Sequence, residues 1–258
     1  MRDCERPIGV FDSGLGGATT VRGLCRLLPE EDIVYFGDTG RVPYGSRSRE
    51  TIVKYARQDV AFLRTFDLKT IVIACGTVST TALDVLAAEN PIPVLGVVAP
   101  AARAAARATR SGSIGLIGTQ ASIRSGAYER LIRAENPAAR VLAQPCPLFV
   151  PLVENGRFRP GDVVIETVAA EYLAPLKEAG VDTLVLGCTH YPLLEKVIGA
   201  YMGPEVRLIN SGAEGARAAA DCLRERDALA GPGRGSCRCF VSDRQDRKST
   251  RLDSSHVA

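Results

Sequence analysis

The chain has 258 residues, 46% of them apolar, enough for one large α/β domain or two small ones around a sizeable core. Lys and Arg number 32 against 29 Asp and Glu, and the arginines (Arg41, Arg47, Arg49, Arg103, Arg107, Arg110) are scattered, so no basic stripe points to nucleic acid. Charged residues lead into "IGVF" without the long apolar core of a signal peptide, and no apolar run reaches bilayer length, so the expectation is a cytoplasmic protein without a membrane partner.

In chain order, short β-branched runs alternate with helix-like stretches: "PIGVFD", "ATTVRGLCRLL", "DIVYFGD", "ETIVKYARQDVAFLRTF", "TIVIAC", "STTALDVLAAE", "PVLGVV", "PAARAAARAT" and "SIGLIGT". The rhythm resumes with "SGAYERLIRA", "DVVIETVAAEYLAPLKEA", "TLVLGC", "YPLLEKVIGAY" and "RLIN". Strands of continuous apolar character separated by helices predict an α/β fold of parallel strands covered on both faces. A boundary is expected near "VVAPAARAA", where Pro100 opens an alanine-rich helix, and another near "LINSG". These divide the chain into 1–98, completed by about 209–240, and 99–208. From about Gly231 the sequence turns Gly-rich and then polar and basic without periodicity, so 241–258 is expected to be disordered or non-native.

In such sheets chemistry gathers at the carboxyl ends of strands. There this chain places "DSGLGG", "GDTGRVPYG", "CGTVST", "GTQAS", "CTHYP" and "NSG". An internal echo lays "TIVIACGTVSTTALDVL" over "TLVLGCTHYPLLEKVI", each an apolar strand, a Cys, a Thr close behind and then a helix. Two similar half-molecules would thereby present Cys75 and Cys188 to each other across a cleft. At a helix start, unsatisfied N–H groups and the helix dipole favour a thiolate, which argues against inert packing for this pair. Cys4, Cys25, Cys146, Cys222, Cys237 and Cys239 lack that context, and packing or exposure suffices for them as free thiols.

Zinc is a competing reading of Cys188 with His190, but no C-x₂-C accompanies them, so no metal is expected. A Cys-His hydrolase is another, and it leaves the duplicated Cys75 unexplained. Two facing thiols suit proton removal from one face of a carbon and delivery to the other, because a free thiol with a pKa of about 8.5 serves as either base or acid near neutrality. Asp12 could steer the proton of a nearby thiol, although it and Ser13 also read as ordinary helix N-caps. "SGLGG" lacks the Lys of a phosphate loop and the third Gly of a dinucleotide fingerprint, which argues against nucleotide binding. "VPYG", with Pro43, Tyr44 and Gly45, reads as a turn or as a nest of backbone N–H groups for a carboxylate. His190 reads as a cap or a packed residue, and Glu154 in "PLVENG" as a solvated loop acid.

In this order, "VFDSGLGG", "YFGDTGRVPYG", "VIACGT", "IGLIGTQASIRSGAY", "PLVENG", "VLGCTHYPLL" and "LINSG" resemble the glutamate racemases, over about residues 7 to 215. The resemblance implies two pseudo-symmetric α/β domains with the active site in the cleft between them, and cofactor-independent interconversion of L- and D-glutamate for peptidoglycan. It further implies that Cys75 and Cys188 are the two bases, that Asp12 assists Cys75, and that His190 and Glu154 assist Cys188. The implied substrate contacts are Ser13, Pro43, Tyr44, Gly45, Gly76, Thr77, Thr119, Ser122 and Thr189. Dimers are frequent in the family, so the resemblance leaves a homodimer open, while the sequence alone does not give the oligomeric state.

Three departures stand out. The family commonly carries Asn directly after the first catalytic Cys, where this chain has Gly76, so only a backbone contact remains there. The tail "RQDRKSTRLDSSHVA" replaces a usual closing helix and looks truncated, frameshifted or vector-derived. No N-terminal extension precedes the first strand, so regulation by a cell-wall precursor is not expected. An aspartate racemase on the same fold, or a ligand-binding relative without turnover, are the rival readings.

Overall fold

The computed structural model describes residues 3–242 and 249–252. Along the chain run β1 (Ile8–Asp12), α1 (Ala18–Leu27), β2 (Ile33–Gly37), α2 (Arg49–Leu63), β3 (Thr70–Ile73), α3 (Gly76–Thr81), α4 (Leu83–Glu89) and β4 (Val94–Gly96). Then follow α5 (Val98–Ala108), β5 (Ser113–Gly118), α6 (Gln120–Arg124), α7 (Ala127–Glu135), β6 (Arg140–Pro145), α8 (Phe149–Glu154), α9 (Val163–Glu178), β7 (Thr183–Leu186), α10 (Glu195–Met202) and β8 (Arg207–Asn210). The last elements are α11 (Ser211–Glu225), β9 (Cys237–Ser242) and β10 (Ser249–Leu252).

Two compact units result, one from Met1–Val97 with Gly212–Ala258 and one from Val98–Ser211. The first holds a six-stranded sheet in the order β10-β9-β2-β1-β3-β4, parallel except for β10, which runs antiparallel to β9. The second holds a four-stranded parallel sheet in the order β6-β5-β7-β8. Each is a sheet flanked by helices, the α/β class that the alternating runs predict.

Side chains along a strand point alternately to its two faces, and the core follows that period. In the first unit Ile8, Val10, Val72 and Ala74 pack with Val21 and Leu24 of α1 and with Ala216, Ala219, Ala220 and Leu223 of α11. In the second, Leu184 and Leu186 join the α9 and α10 side with Leu173, Leu176 and Ile198. Val185 between them joins the α5 and α7 side with Ala101, Ala105 and Ile132. Full burial of each such aliphatic side chain contributes about 1.5–3 kcal/mol, so the central strands β1, β3, β5 and β7 are the fixed frame from which the loops depart.

Several elements differ from the sequence expectations. The stretch from about Gly231 shows no periodicity in sequence, yet within it Cys237–Ser242 is strand β9, paired parallel with β2 from Ile33↔Cys237 to Gly37↔Val241. Its burial is confined to one position, Cys239, while Arg238 lies over the Phe66 ring at 5.3 Å, so no apolar run announces it. Within the tail expected to be disordered, residues 241–242 belong to β9 and 249–252 form β10; 243–248 and 253–258 lie outside the described residues. β6 is also absent from the periodicity reading, because this edge strand has no fully buried residue. Among the described residues no helix is long and apolar enough to cross a membrane.

Candidate active site

Adjacent parallel strands bring the first set of chemistry-bearing residues together. β1 pairs with β3 through Phe11↔Ile73, and the Ala74 N–H continues the ladder to the Phe11 carbonyl at 2.8 Å. Asp12 and Ser13 therefore leave the sheet beside Cys75, and Ser13 Oγ lies 3.2 Å from Cys75 Sγ. Cys75 is 4% exposed and is the N-cap residue of α3, with Gly76 and Thr77 buried in the first turn.

Asp12 is fully buried, and its Oδ2 accepts the N–H groups of Gly14 at 3.1 Å and Gly17 at 3.0 Å. The helix-cap reading of Asp12 and Ser13 is corrected here: the N-cap of α1 is Gly17, without a side-chain cap. These two N–H groups are spent on the chain's own carboxylate rather than offered to a phosphate. A Cβ on Gly17 would fall 2.5 Å from Asp12 Cβ, which is why the loop needs glycine at that point. Tyr35 donates its hydroxyl to the Gly14 carbonyl at 2.6 Å, and burial raises its pKa well above that of an ordinary phenol, with Asp12 adding to the shift.

The Pro43-Tyr44-Gly45 turn is anchored separately. The Tyr44 ring is 1% exposed, and its hydroxyl reaches Asp38 and Asp59, so a substrate contact from this turn is left to the backbone. Asp38, Arg41 and Asp59 were not among the sequence candidates. The signal for Asp59 was available: it lies in the buried stripe of α2 with Ile52, Ala56, Val60 and Leu63, where an acid on a solvated face would not fall.

The second corner repeats the plan with other chemistry. β5 pairs with β7 through Ile117↔Leu186, and the Gly187 N–H reaches the Ile117 carbonyl at 2.8 Å. Cys188, 7% exposed, thus stands two residues beyond β7 as Cys75 stands two beyond β3. The expected helix start at Cys188 is corrected, because a turn comes first: Cys188 C=O accepts the Tyr191 N–H at 3.1 Å, and a 3₁₀ turn over Tyr191–Leu194 leads into α10. In place of a helix cap, Cys188 Sγ has His190 Nδ1 at 3.8 Å, and His190 Nε2 lies 3.3 Å from Glu154 Oε1. Glu154 ends α8 instead of lying in a loop, and its side chain is 38% exposed. Thr189 Oγ1 lies 3.5 Å from His190 Nδ1.

Thr119 and Ser122 meet at the carboxyl end of β5. Thr119 caps α6, donating its hydroxyl to Ser122 Oγ at 3.0 Å and accepting the Ser122 N–H at 3.3 Å. Cys146, at the end of β6, is fully buried, and burial together with the neighbouring Cys188 raises its thiol pKa, which suits it to packing rather than proton exchange.

A family model described as Asp/Glu/Hydantoin racemase matches residues 15–219. This chain belongs to that family. Among its racemase relatives, a glutamate racemase of Geobacter metallireducens is 49% identical over 239 residues, covering 92% of this chain and 88% of that protein. The crystal structure of a glutamate racemase isoform from Bacillus anthracis superposes with a TM-score of 0.88 at 39% identity, covering 93% of this chain and 89% of that one. That of glutamate racemase from Francisella tularensis in complex with D-glutamate superposes with a TM-score of 0.86 at 38% identity and the same coverage.

Proposed function

We propose that the protein interconverts L- and D-glutamate without a cofactor, with Cys75 and Cys188 as the two bases, in the cytoplasm and for the cell wall. The observation that carries this reading is the matched pair of nearly buried thiols, each two residues past a central strand and each beside a group able to take or give a hydrogen bond. Family membership supplies the reaction class, and the many relatives named glutamate racemase favour that amino acid over aspartate.

An α-proton beside a carboxylate is a very weak acid, so a thiolate on one face must be matched by a thiol poised on the other, in a site where fixed N–H donors stabilise the developing charge. Ser13 Oγ is placed to donate to a Cys75 thiolate. In the other corner, Glu154 favours the His190 tautomer whose Nε2–H points to it, which leaves Nδ1 to accept the Cys188 proton. His190 then returns that proton when Cys188 acts as the acid. Removal at one thiol and delivery from the other inverts the centre, and exchanging their roles runs the reaction backward. Gly45, Gly76, Thr77, Thr119, Ser122 and Thr189 supply the polar surface that would hold the substrate's carboxylates and amine.

Exchange of the glutamate α-proton in D₂O tests the reading. The wild-type protein is expected to incorporate deuterium and to racemise glutamate in preference to aspartate. Activity on aspartate alone, or incorporation persisting in both Cys75→Ala and Cys188→Ala, would overturn it.

A further inference from the structure

The turn carrying Pro43, Tyr44 and Gly45 hangs from a buried polar network. Arg41 Nε lies 2.6 Å from Asp38 Oδ2, and Arg41 Nη2 lies 2.6 Å from Asp59 Oδ1. The Tyr44 hydroxyl reaches Asp38 Oδ2 and also Asp59 Oδ2, the latter at 2.9 Å. From β9, Ser242 donates its hydroxyl to Asp38 Oδ1 at 2.7 Å. From α2, Gln58 accepts from Arg41 Nη1 at 2.5 Å, and the Tyr55 ring lies under the guanidinium at 4.5 Å. Asp38, Tyr44 and Asp59 are each no more than 1% exposed.

Counting protons makes this arrangement informative. A tyrosine hydroxyl carries one proton, yet this one stands between two carboxyl oxygens. If Tyr44 donates to Asp38, the contact with Asp59 requires a proton on Asp59. One guanidinium also balances only one carboxylate, and an unbalanced buried charge is costly. Both arguments place a proton on this pair of acids.

We propose that Asp59 is a positioning residue, which donates a proton to the Tyr44 hydroxyl and thereby holds the Pro43–Gly45 turn in its substrate-binding form. Burial, with Asp38 adding to it, raises the Asp59 carboxyl to about 8. Charged or titratable groups facing it are Asp38, Arg41 and Tyr44; Arg41 and the Tyr44 contact act to lower the value, and they are outweighed. A carboxyl raised in the folded state contributes stability that is complete below its ordinary pKa of about 4 and is lost as pH rises towards about 8. Above that value an ionised Asp59 offers Tyr44 no proton and faces Asp38 as a like charge, so the turn releases and substrate binds less tightly.

This inference rests on the racemase reading above, and two measurements separate the fates of the two. Carbonyl-carbon NMR of protein labelled at aspartate, with the Asp59 signal assigned through Asp59→Asn, is expected to titrate near pH 8; titration near pH 4 overturns the shared proton whatever the protein turns over. In turnover assays from pH 6.5 to 9.5, wild-type KM for glutamate is expected to rise about tenfold for each pH unit beyond 8, with kcat less affected. Asp59→Asn, whose amide keeps a donor towards Tyr44, flattens that rise, whereas Asp59→Ala raises KM at every pH. Parallel KM profiles for wild type and Asp59→Asn would overturn the positioning role. Absence of wild-type turnover on glutamate would count against the racemase reading, and the NMR titration would still decide the shared proton.

Discussion

The two cysteine corners are built to one plan and finished differently. Each thiol stands two residues beyond a four-residue central strand, after Ala74 in one case and Gly187 in the other. Cys75 then caps a helix and has a serine hydroxyl 3.2 Å away, whereas Cys188 enters a turn and has an imidazole backed by a carboxylate. A hydroxyl can stabilise a thiolate but cannot store its proton near neutrality; an imidazole can do both. The same backbone geometry thus supports two ways of priming a thiol, and the two directions of the proposed reaction lean on different helpers.

Removing either thiol should erase the comparison altogether. Cys75→Ala and Cys188→Ala are each expected to lower kcat for racemisation by about 10³-fold or more, measured by polarimetry or coupled assay, since loss of an acid or base partner costs about 10²–10⁴. His190→Asn should come next, with kcat falling about 10–100-fold, while Ser13→Ala costs the other corner only a few-fold, in line with a single hydrogen bond. Equal losses for the two would remove the asymmetry. Glu154→Gln keeps the shape of α8 but weakens the hold on the His190 tautomer, and a loss of about 3–10-fold is expected, smaller than that of His190→Asn.

The strand ends themselves give a further contrast. A Cβ on Gly187 would fall 2.7 Å from the Ile117 carbonyl oxygen, whereas Ala74 already carries one at the equivalent place. Gly187→Ala is therefore expected to cost about 1–3 kcal/mol of stability by overpacking, read as a lower thermal midpoint, while Ala74→Gly removes only a buried methyl. An effect as small as that of Ser13→Ala is expected at Gly76: Gly76→Asn would add an amide beside Cys75, lowering KM for glutamate by about 2–5-fold if it gains one hydrogen bond to substrate.

Much of this frame is legible in the residues because the central strands are buried on both faces and therefore read as unbroken runs such as "TIVIAC" and "TLVLGC". The peripheral elements give no such signal. β6 is only partly buried, β9 mixes Cys and Arg, and α8 is six residues long with Pro151 inside it, so neither period is expressed. At the proposed site, residues that act from strand ends could be named individually. Those that act by being buried are only half legible: the apolar stripe of α2 marks Asp59 as a buried acid, but the partners of its carboxyl do not show there, because sequence records the residue type and not the proton it holds.

The first unit is assembled from both ends of the chain, with β9 paired to β2 and α11 packed on the sheet, whereas the second is one uninterrupted stretch. During synthesis the inserted unit has all its strands available once residue 210 has left the ribosome, while the flanking one still waits for its β9 strand and a long-range closure. The sheet that carries Cys188 thus has every strand in the emerged chain before the sheet that carries Cys75, whose β9 and β10 come last.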